Sequence, residues 1–339
     1  MRILDWNIEW MNRWFSGNAS PQWGSNQLSA ARANEAATRV AAVIRQLDPD
    51  LIMLQEGPSA LAEMELFLAD HLSDAAGPLY SALIGSDGGA QKLYALTKRN
   101  GAVASIDYLH DERTEALREA WAADVDGDMH LAPYDFTRQP LILTVDGVAS
   151  QPFTMVNLHT KSKFVQGGQQ LWADPARRQE FVVQALTARR RISAEGYRLR
   201  AYLDEILRDD PAARILVTGD FNDGPGHDLF ERSYLTHNVA DIVLGSTFYP
   251  ELMFEHILLN RVATPVLFTA RFDDFVDEVM DRPLLLDHFL VSPGMKEEVH
   301  AARIAHEEYE AEVVGNGEPR HKRPSDHRPI LLELSGGNV

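Results

Sequence analysis

The chain has 339 residues, 45% of them hydrophobic, enough to bury a sizeable core as one large domain or two modest ones. Its 32 Lys and Arg stand against 50 Asp and Glu, a net charge of −18 that repels polyanions at long range without excluding a local basic cleft or bound cations. There is no cysteine, so disulfides, thiolate zinc sites and a cysteine nucleophile are excluded, and any metal ion must be held by oxygen or imidazole.

Residues 2–10 read as a strand, followed by a polar and aromatic loop to about residue 28 that contains Gly17, Pro21 and Gly24. Val40, Val43, Ile44 and Leu47 fall at i, i+3, i+4 and i+7, which predicts a helix that Asp48-Pro49 stops. An apolar strand over 51–55 then runs into Glu56, and 59–72 has a second amphipathic pattern. Strands are expected at 79–84 and 92–97 around a Gly88-Gly89 turn, while 105–133 carries no clear pattern. Segments 136–145 and 153–158 flank Asp146-Gly147, a hairpin signal. Asp174-Pro175 resembles an N-cap followed by Pro at the first helical position, opening helices that reach about Leu207. Further strands are predicted at 215–218, 266–269, 284–291 and 330–334. Strands and helices mix without strict alternation, which favours packed sheets with outer helices over a doubly wound parallel sheet. With no internal repeat and no linker, one domain over 1–335 is expected, carrying a helical Arg-rich segment at about 165–207. The N-terminus lacks a long apolar stretch and no run approaches the about 18 residues of a membrane span, so a cytoplasmic protein without a transmembrane segment is expected.

Apolar strands repeatedly run into polar groups. This happens at Asp5-Trp6-Asn7, Gln55-Glu56, Asn157-Leu158-His159, Gly219-Asp220-Phe221-Asn222 and Leu286-Asp287, and in reverse at Ser325-Asp326-His327. A polar group anchored at a strand end can face a shared cleft, which is how rigid scaffolds position catalytic side chains. Singly, each is an ordinary turn former.

Together, and in this order, Trp6-Asn7-Ile8, Gln55-Glu56, Asn157-Leu158-His159-Thr160-Lys161-Ser162-Lys163, Gly219-Asp220-Phe221-Asn222, Leu286-Asp287-His288-Phe289 and Ser325-Asp326-His327-Arg328-Pro329-Ile330 resemble the endonuclease/exonuclease/phosphatase family across nearly the whole chain. The resemblance implies an α/β four-layer sandwich of the DNase I-like kind: two packed β-sheets flanked by helices, with the site at one rim. It also implies a metal-dependent phosphodiesterase that cleaves its substrate, nucleic acid or a nucleotide-like compound, by activated-water attack. Glu56 resembles the principal metal carboxylate, joined by Asn7 and Asp326, and oxygen ligands favour Mg²⁺ with Mn²⁺ as a substitute. Asp220 is expected to deprotonate the attacking water, with Asn222 on a phosphate oxygen or on that water. His327 would hold a nonbridging oxygen with Asp287 fixing its tautomer, and His159 resembles the histidine credited with protonating the leaving oxygen. Arg138 is a candidate phosphate clamp and Tyr134 a weaker substrate contact.

Alternatives stay open at this point. A phosphomonoesterase or lipid phosphodiesterase of the same family is one, and a non-catalytic binding protein on the same fold is another, although none of the main set is missing. Thr218 before Gly219 and His288 after Asp287 depart from the inositol 5-phosphatase branch, and Thr218 also departs from the abasic-site branch. Nine Lys and Arg against three acids between 161 and 200, together with Arg320, Lys322, Arg323 and Arg328, could serve a phosphate backbone or form solvated ion pairs. Trp14 or Trp23, if exposed, could stack on a base or touch lipid. Asp124, Asp126 and Asp128 have calcium-loop spacing, but Met129 stands where glycine is needed, so a solvated acidic loop is expected. His288 should face away from Asp287 on an alternating strand.

Overall fold

The computed structural model describes residues 1–85, 89–147, 151–225, 228–234, 237–315, 317 and 319–335. Fourteen of its strands matter for the site: β1 (Arg2–Asn7), β2 (Leu51–Gly57), β3 (Tyr80–Ile84), β4 (Lys92–Lys98), β5 (Val103–Tyr108), β6 (Leu141–Gly147), β7 (Phe153–His159), β8 (Ile215–Asp220), β9 (Glu255–His256), β10 (Ala270–Asp274), β11 (Val279–Leu284), β12 (Asp287–Val291), β13 (Val299–Ile304) and β14 (Ile330–Leu334). One sheet has the order β13-β14-β1-β2-β4-β3 and the other β9-β12-β8-β7-β6-β5. In each, the central pair is parallel (β1 with β2, β7 with β8) and the outer pairs are antiparallel.

The layering follows from strand periodicity. On β1, Ile3 packs into a core shared by both sheets with Leu51, Met53, Met155, Leu216 and Phe289, while Leu4 and Trp6 point outward into a second core against α1 (Ala30–Leu47) and α2 (Leu61–His71). On the other side, Val156, Leu158 and Val217 pack outward against the 32-residue α3 (Arg178–Asp209) and α4 (Val239–Leu244). Both faces of each sheet are therefore buried, which explains the near-continuous apolar strands. Ser29 caps α1 by accepting from Arg32 N, and Asp48 ends it in the left-handed region before Pro49.

Several local expectations need correction. β1 stops at Asn7, because Ile8 and Trp10 enter a turn that becomes a short 3-10 helix at Met11–Trp14. α3 starts at Arg178, with Asp174 and Pro175 in a separate turn before it. The strand expected over 266–269 is a 3-10 turn at Thr264–Val266 leading into the β10–β11 hairpin, and residues 284–291 divide between that hairpin and β12. The unread 105–133 holds the end of β5, a helix at Glu112–Arg118 and part of a short hairpin. β6 and β7 do pair as expected, from Leu141 opposite Asn157 to Val145 opposite Phe153. Gly88 of the Gly88-Gly89 turn lies outside the described residues.

The Arg-rich helix is not a free basic face. Arg177 pairs with Glu180, Arg189 with Asp228, Arg191 with Asp126 and Arg200 with Asp204. Arg178, Arg190 and Arg198 donate to the carbonyls of Trp172, Asp126 and Ala116, so the arginines pin the loops that lie over α3. The acidic loop is likewise structural: Asp124 accepts from the backbone of Gly127, Asp128 and Met129.

Between the sheets the shared core changes character along the strands. Beyond Ile3, Met53, Met155 and Leu216, the next inward side chains are Asp5, Gln55, Asn157 and Thr218, all buried. Gln55 Nε2 donates to Asp5 Oδ1 (2.8 Å) in its own sheet and to Asn157 Oδ1 (2.7 Å) in the other. Asn157 Nδ2 donates back to the Leu54 and Tyr94 carbonyls at 3.1 and 3.3 Å. Replacing Asn157 by Leu removes an acceptor from buried Gln55 and should cost about 1–3 kcal/mol. Urea unfolding of the variant measures this, and an unchanged midpoint would show that the tier contributes nothing to stability.

His288 faces away from the shared core, its ring tilted against Phe221 at 4.8 Å and bonded to His256. Leu259 N donates to His256 Nδ1 (3.2 Å), which leaves Nε2–H to donate to His288 Nδ1 (2.8 Å) and His288 Nε2–H to donate to the Asp223 carbonyl (2.7 Å). Every ring nitrogen is satisfied with both rings neutral. Burial pushes His288 down to about 4, and burial together with His288 pushes His256 to about 2. An imidazole with a depressed folded pKa takes up its proton preferentially in the unfolded chain, so stability is complete above about pH 6.5 and declines as pH falls below it. Each ring should add a slope of about 1.4 kcal/mol per pH unit between 6.5 and its folded value. Urea titrations at pH 7.5 and 5.0 should show a smaller acid loss in His256→Gln/His288→Gln than in the wild type, and equal losses would refute the account.

Candidate active site

The polar tier opens at one rim of the two sheets into a cluster in which almost every member sits at a strand end. Asn7 closes β1, Glu56 lies in the last turn of β2, His159 closes β7, Asp220 closes β8 and Asp287 opens β12. Asp326 and His327 precede β14. Glu56 and Asn222 both have left-handed backbones, φ 56° and 50°. At Glu56 this accompanies a bulge against β4 that turns its carboxylate toward the rim. Gly219 is obligatory in its place: its φ is 132°, and a Cβ there would stand 1.9 Å from the Leu158 carbonyl of the adjacent strand.

Asn7 bridges the sheets. Its Nδ2 donates to Asp220 Oδ2 at 2.8 Å and reaches Glu56 Oε1 at 3.4 Å. Asp220 Oδ1 accepts from Asn222 N at 2.7 Å, and Asn222 Nδ2 donates to the Thr160 carbonyl at 3.1 Å. His159 Nε2 is 3.5 Å from Asp220 Oδ2 and 3.9 Å from Glu56 Oε1. His327 Nδ1 bonds Asp287 Oδ2 at 2.7 Å, leaving Nε2 3.7 Å from Asp326 Oδ1 and 3.9 Å from Asp220 Oδ2. All eight principal residues singled out by the motifs are thus brought together.

Arg138 joins them indirectly: it donates to the Thr160 carbonyl (3.3 Å) and to Gln91 Oε1 (2.8 Å), and Gln91 in turn donates to Glu56 Oε2. Tyr134 is placed differently. Its hydroxyl donates to buried Glu195 of α3, which also accepts from Thr137 N and Lys161 N, so the tyrosine helps tie the loops carrying Arg138 and Lys161 to α3. Nor do the tryptophans expected to stack do so: Trp14 is buried edge-on against Phe67, and Trp23 packs on Phe15 and donates to Asp70. Exposed aromatics close in sequence to these residues include Trp10, 40% exposed, whose backbone N donates to Glu56, and Phe164, 77% exposed, five residues beyond His159.

Several further residues complete the site, Trp6 and Ser325 from within the motifs and Thr269 and Glu9 from outside them. Ser325 Oγ donates to the Asn7 carbonyl (2.6 Å) and accepts from His327 N (3.0 Å), while Trp6 Nε1 donates to the His327 carbonyl (2.8 Å). Thr269 Oγ1 accepts from the backbone of Leu286 and Asp287 as its carbonyl accepts from Arg328 N, fixing Asp287 against His327. Glu9 is raised to about 7 by burial and by the nearby carboxylates of Asp326 and Glu56. Its position two residues after Asn7 was the available signal.

Electrostatically the two histidines differ. Burial, with Arg138, His327 and Lys161 nearby, holds His159 well below the ordinary imidazole range. Burial would lower His327 too, but Asp287, Asp220 and Asp326 outweigh it and hold it well above that range. Asp220 is pushed up to about 7, by burial against the lowering effect of His327 and with a further rise from Asp287.

The donor set suits a hard divalent cation. Glu9, Glu56 and Asp326 repel one another, and Asn7 Oδ1 is buried without a hydrogen-bond partner. A second set, Asp220, Asp287 and His327, has ligand atoms within 4.8 Å of one another. It is the poorer choice, because a metal needs the neutral imidazole and Asp287 keeps His327 charged.

Two sheets packed face to face between helices, with carboxylates, amides and paired imidazoles at one rim, define a DNase I-like hydrolase scaffold. The family model for the endonuclease/exonuclease/phosphatase family matches residues 6–327, and the chain belongs to that family, whose members are phosphoric ester hydrolases and generally depend on divalent metal. Among solved structures, the endonuclease/exonuclease/phosphatase from Beutenbergia cavernae is 16% identical with a TM-score of 0.52, covering 99% of this chain and 72% of that one. Truncated TDP2 of Caenorhabditis elegans is 14% identical with a TM-score of 0.50, covering 98% and 97%. These likenesses are of fold. No curated protein sequence matches the chain. Among the described residues, no helix is long and apolar enough to cross a membrane.

Proposed function

We propose that residues 1–335 act as one domain, a divalent-metal-dependent phosphodiesterase that cleaves a nucleic acid or nucleotide-like substrate by water attack. The observation that carries this reading is the placement of the Asp220 carboxylate between the His159 and His327 imidazoles, with Asp287 locking the latter. Glu56, Asp326, Glu9 and the unpartnered Asn7 Oδ1 would hold Mg²⁺ or Mn²⁺. A bound cation there neutralises phosphate charge and polarises the P–O bond.

The protein's own groups do the rest. Asp220, poised near neutrality, takes the proton of the attacking water as the new O–P bond forms. Asn222, whose backbone is fixed through Asp220, offers its amide to the water or to a nonbridging oxygen. His327, held as imidazolium by Asp287, supplies positive charge to the other phosphate oxygen. The ester P–O bond breaks on the far side and its oxygen leaves as an alkoxide, stabilised by a hydrogen bond from the N–H of neutral His159 and protonated by solvent water. Arg138, set by Gln91 and Thr160, adds fixed positive charge to the same space. Exposed Trp10 and Phe164 support a substrate with planar rings to stack.

A screen over plasmid DNA, single strands, RNA and bis-p-nitrophenyl phosphate, with monoesters as controls, should find diester hydrolysis that requires Mg²⁺ or Mn²⁺ and is abolished by chelation. Asp220→Ala and His327→Ala should each lower kcat by about 10²- to 10⁴-fold. Glu9→Gln and Glu56→Gln should weaken cation binding in calorimetry. Activity that survives both substitutions, or turnover of monoesters alone, would sink the reading.

A further inference from the structure

Beside the cluster lies a cavity of about 300 Å³, lined mainly by polar atoms of four arginines, Arg271, Arg320, Arg323 and Arg328, and of three acids. Asp326 belongs to both places. It lines this cavity and pairs with Arg320, while its Oδ1 stands 3.7 Å from His327 Nε2. The cavity therefore begins where the proposed reaction centre ends.

Three of the four guanidiniums lie over aromatic rings. Arg320 lies 3.7 Å from the Phe272 centroid, Arg271 4.3 Å from Phe268, and Arg328 4.6 Å from Tyr309. A ring beneath the guanidinium limits its motion, which lowers the entropy lost on binding an anion. Its edges already meet oxygens: Arg271 donates to Asp281, Arg320 to Asp326 and Arg328 to Glu310. Asp281 and Glu310 line the cavity too, and they are the groups a bound anion displaces. Asp281, 3.0 Å from Arg271, and Glu310, 2.6 Å from Arg328, have side chains 69% and 51% exposed, where ion pairs contribute little. A phosphate offers the same fork two oxygens and more charge. An apolar ring or acyl chain would instead desolvate the guanidiniums without replacing their partners.

We propose that this cavity is a second phosphate subsite, which binds a phosphate group of the substrate one linkage away from the ester that is cleaved. The inference rests on the phosphodiesterase reading above and narrows it. A substrate with a phosphate next to the scissile one is selected over one without. The hairpin β10–β11, which carries Arg271, Phe272 and Asp281, is then a specificity element.

The test compares three substrates at one Mg²⁺ concentration: dithymidine with a single internal phosphate, the same molecule with a 5′-phosphate, and trithymidine with two internal phosphates. The second and third separate a terminal phosphate from a backbone phosphate as the group recognised. For the wild type, kcat/KM on at least one two-phosphate substrate should exceed that on dithymidine by tenfold or more. Arg271→Ala should reduce that ratio at least fivefold, Arg271→Lys should give an intermediate value, and Asp281→Asn should raise it. A purely structural role for Arg271 would lower all substrates alike and leave the ratio intact, which overturns the inference. So does a wild-type ratio near one, or cleavage of bis-p-nitrophenyl phosphate with no cleavage of the two-phosphate substrates. No cleavage of any diester overturns the phosphodiesterase reading and this inference with it.

Discussion

The hydrogen bond from Gln55 to Asn157 joins two sheets whose shared core is mostly apolar. Apolar packing is non-directional, so the shared core alone would tolerate small slides of one sheet over the other. A buried amide pair does not tolerate them, because a slide strands its polar atoms without water. Asn7 and Asp220 repeat the link one step nearer the rim. The rim residues come from both sheets, and their mutual distances are set by this register. In that sense the polar tier is the foundation of the site and the apolar core is the foundation of the fold.

This division also explains what could be read from the sequence. Elements bounded by local chemistry were legible: α1 between Ser29 and Asp48-Pro49, the β6–β7 pair, and the strand ends that deliver Asn7, Glu56, His159 and Asp220. Their convergence was visible only through ordered resemblance, since spacing along the chain does not say which strand ends share a rim. Elements defined by distant partners were not legible. β13 exists because β14 offers an edge, and the β10–β11 hairpin occupies the stretch between the strands read at 266–269 and 284–291. The supporting residues were hidden for the same reason: Gln91 and Thr269 have no local signature, and what they do depends on Glu56, Arg138 and Asp287 elsewhere.

The arginines were the most misleading signal. Composition registers a charge but not its partner, and in a chain with 50 acids most cations find one. The arginines of α3 hold neighbouring segments down through acids and backbone carbonyls, whereas those around Asp326 line a cavity beside exposed acids. Identical residue types thus stand in different surroundings. Burial and geometry separate them, and the count does not.

Because the arginines of α3 are engaged by acids and carbonyls and the chain carries a net charge of −18, a negatively charged substrate approaches a surface that repels it until it reaches the rim. Capture must then rely on short-range contacts made after arrival, not on an attractive field felt from afar. Added salt, which usually loosens protein complexes with polyanions by screening attraction, would here first relieve repulsion. The acidic balance of the chain, which its Arg-rich helix does not offset, would then make encounters slow at low ionic strength and selective once made.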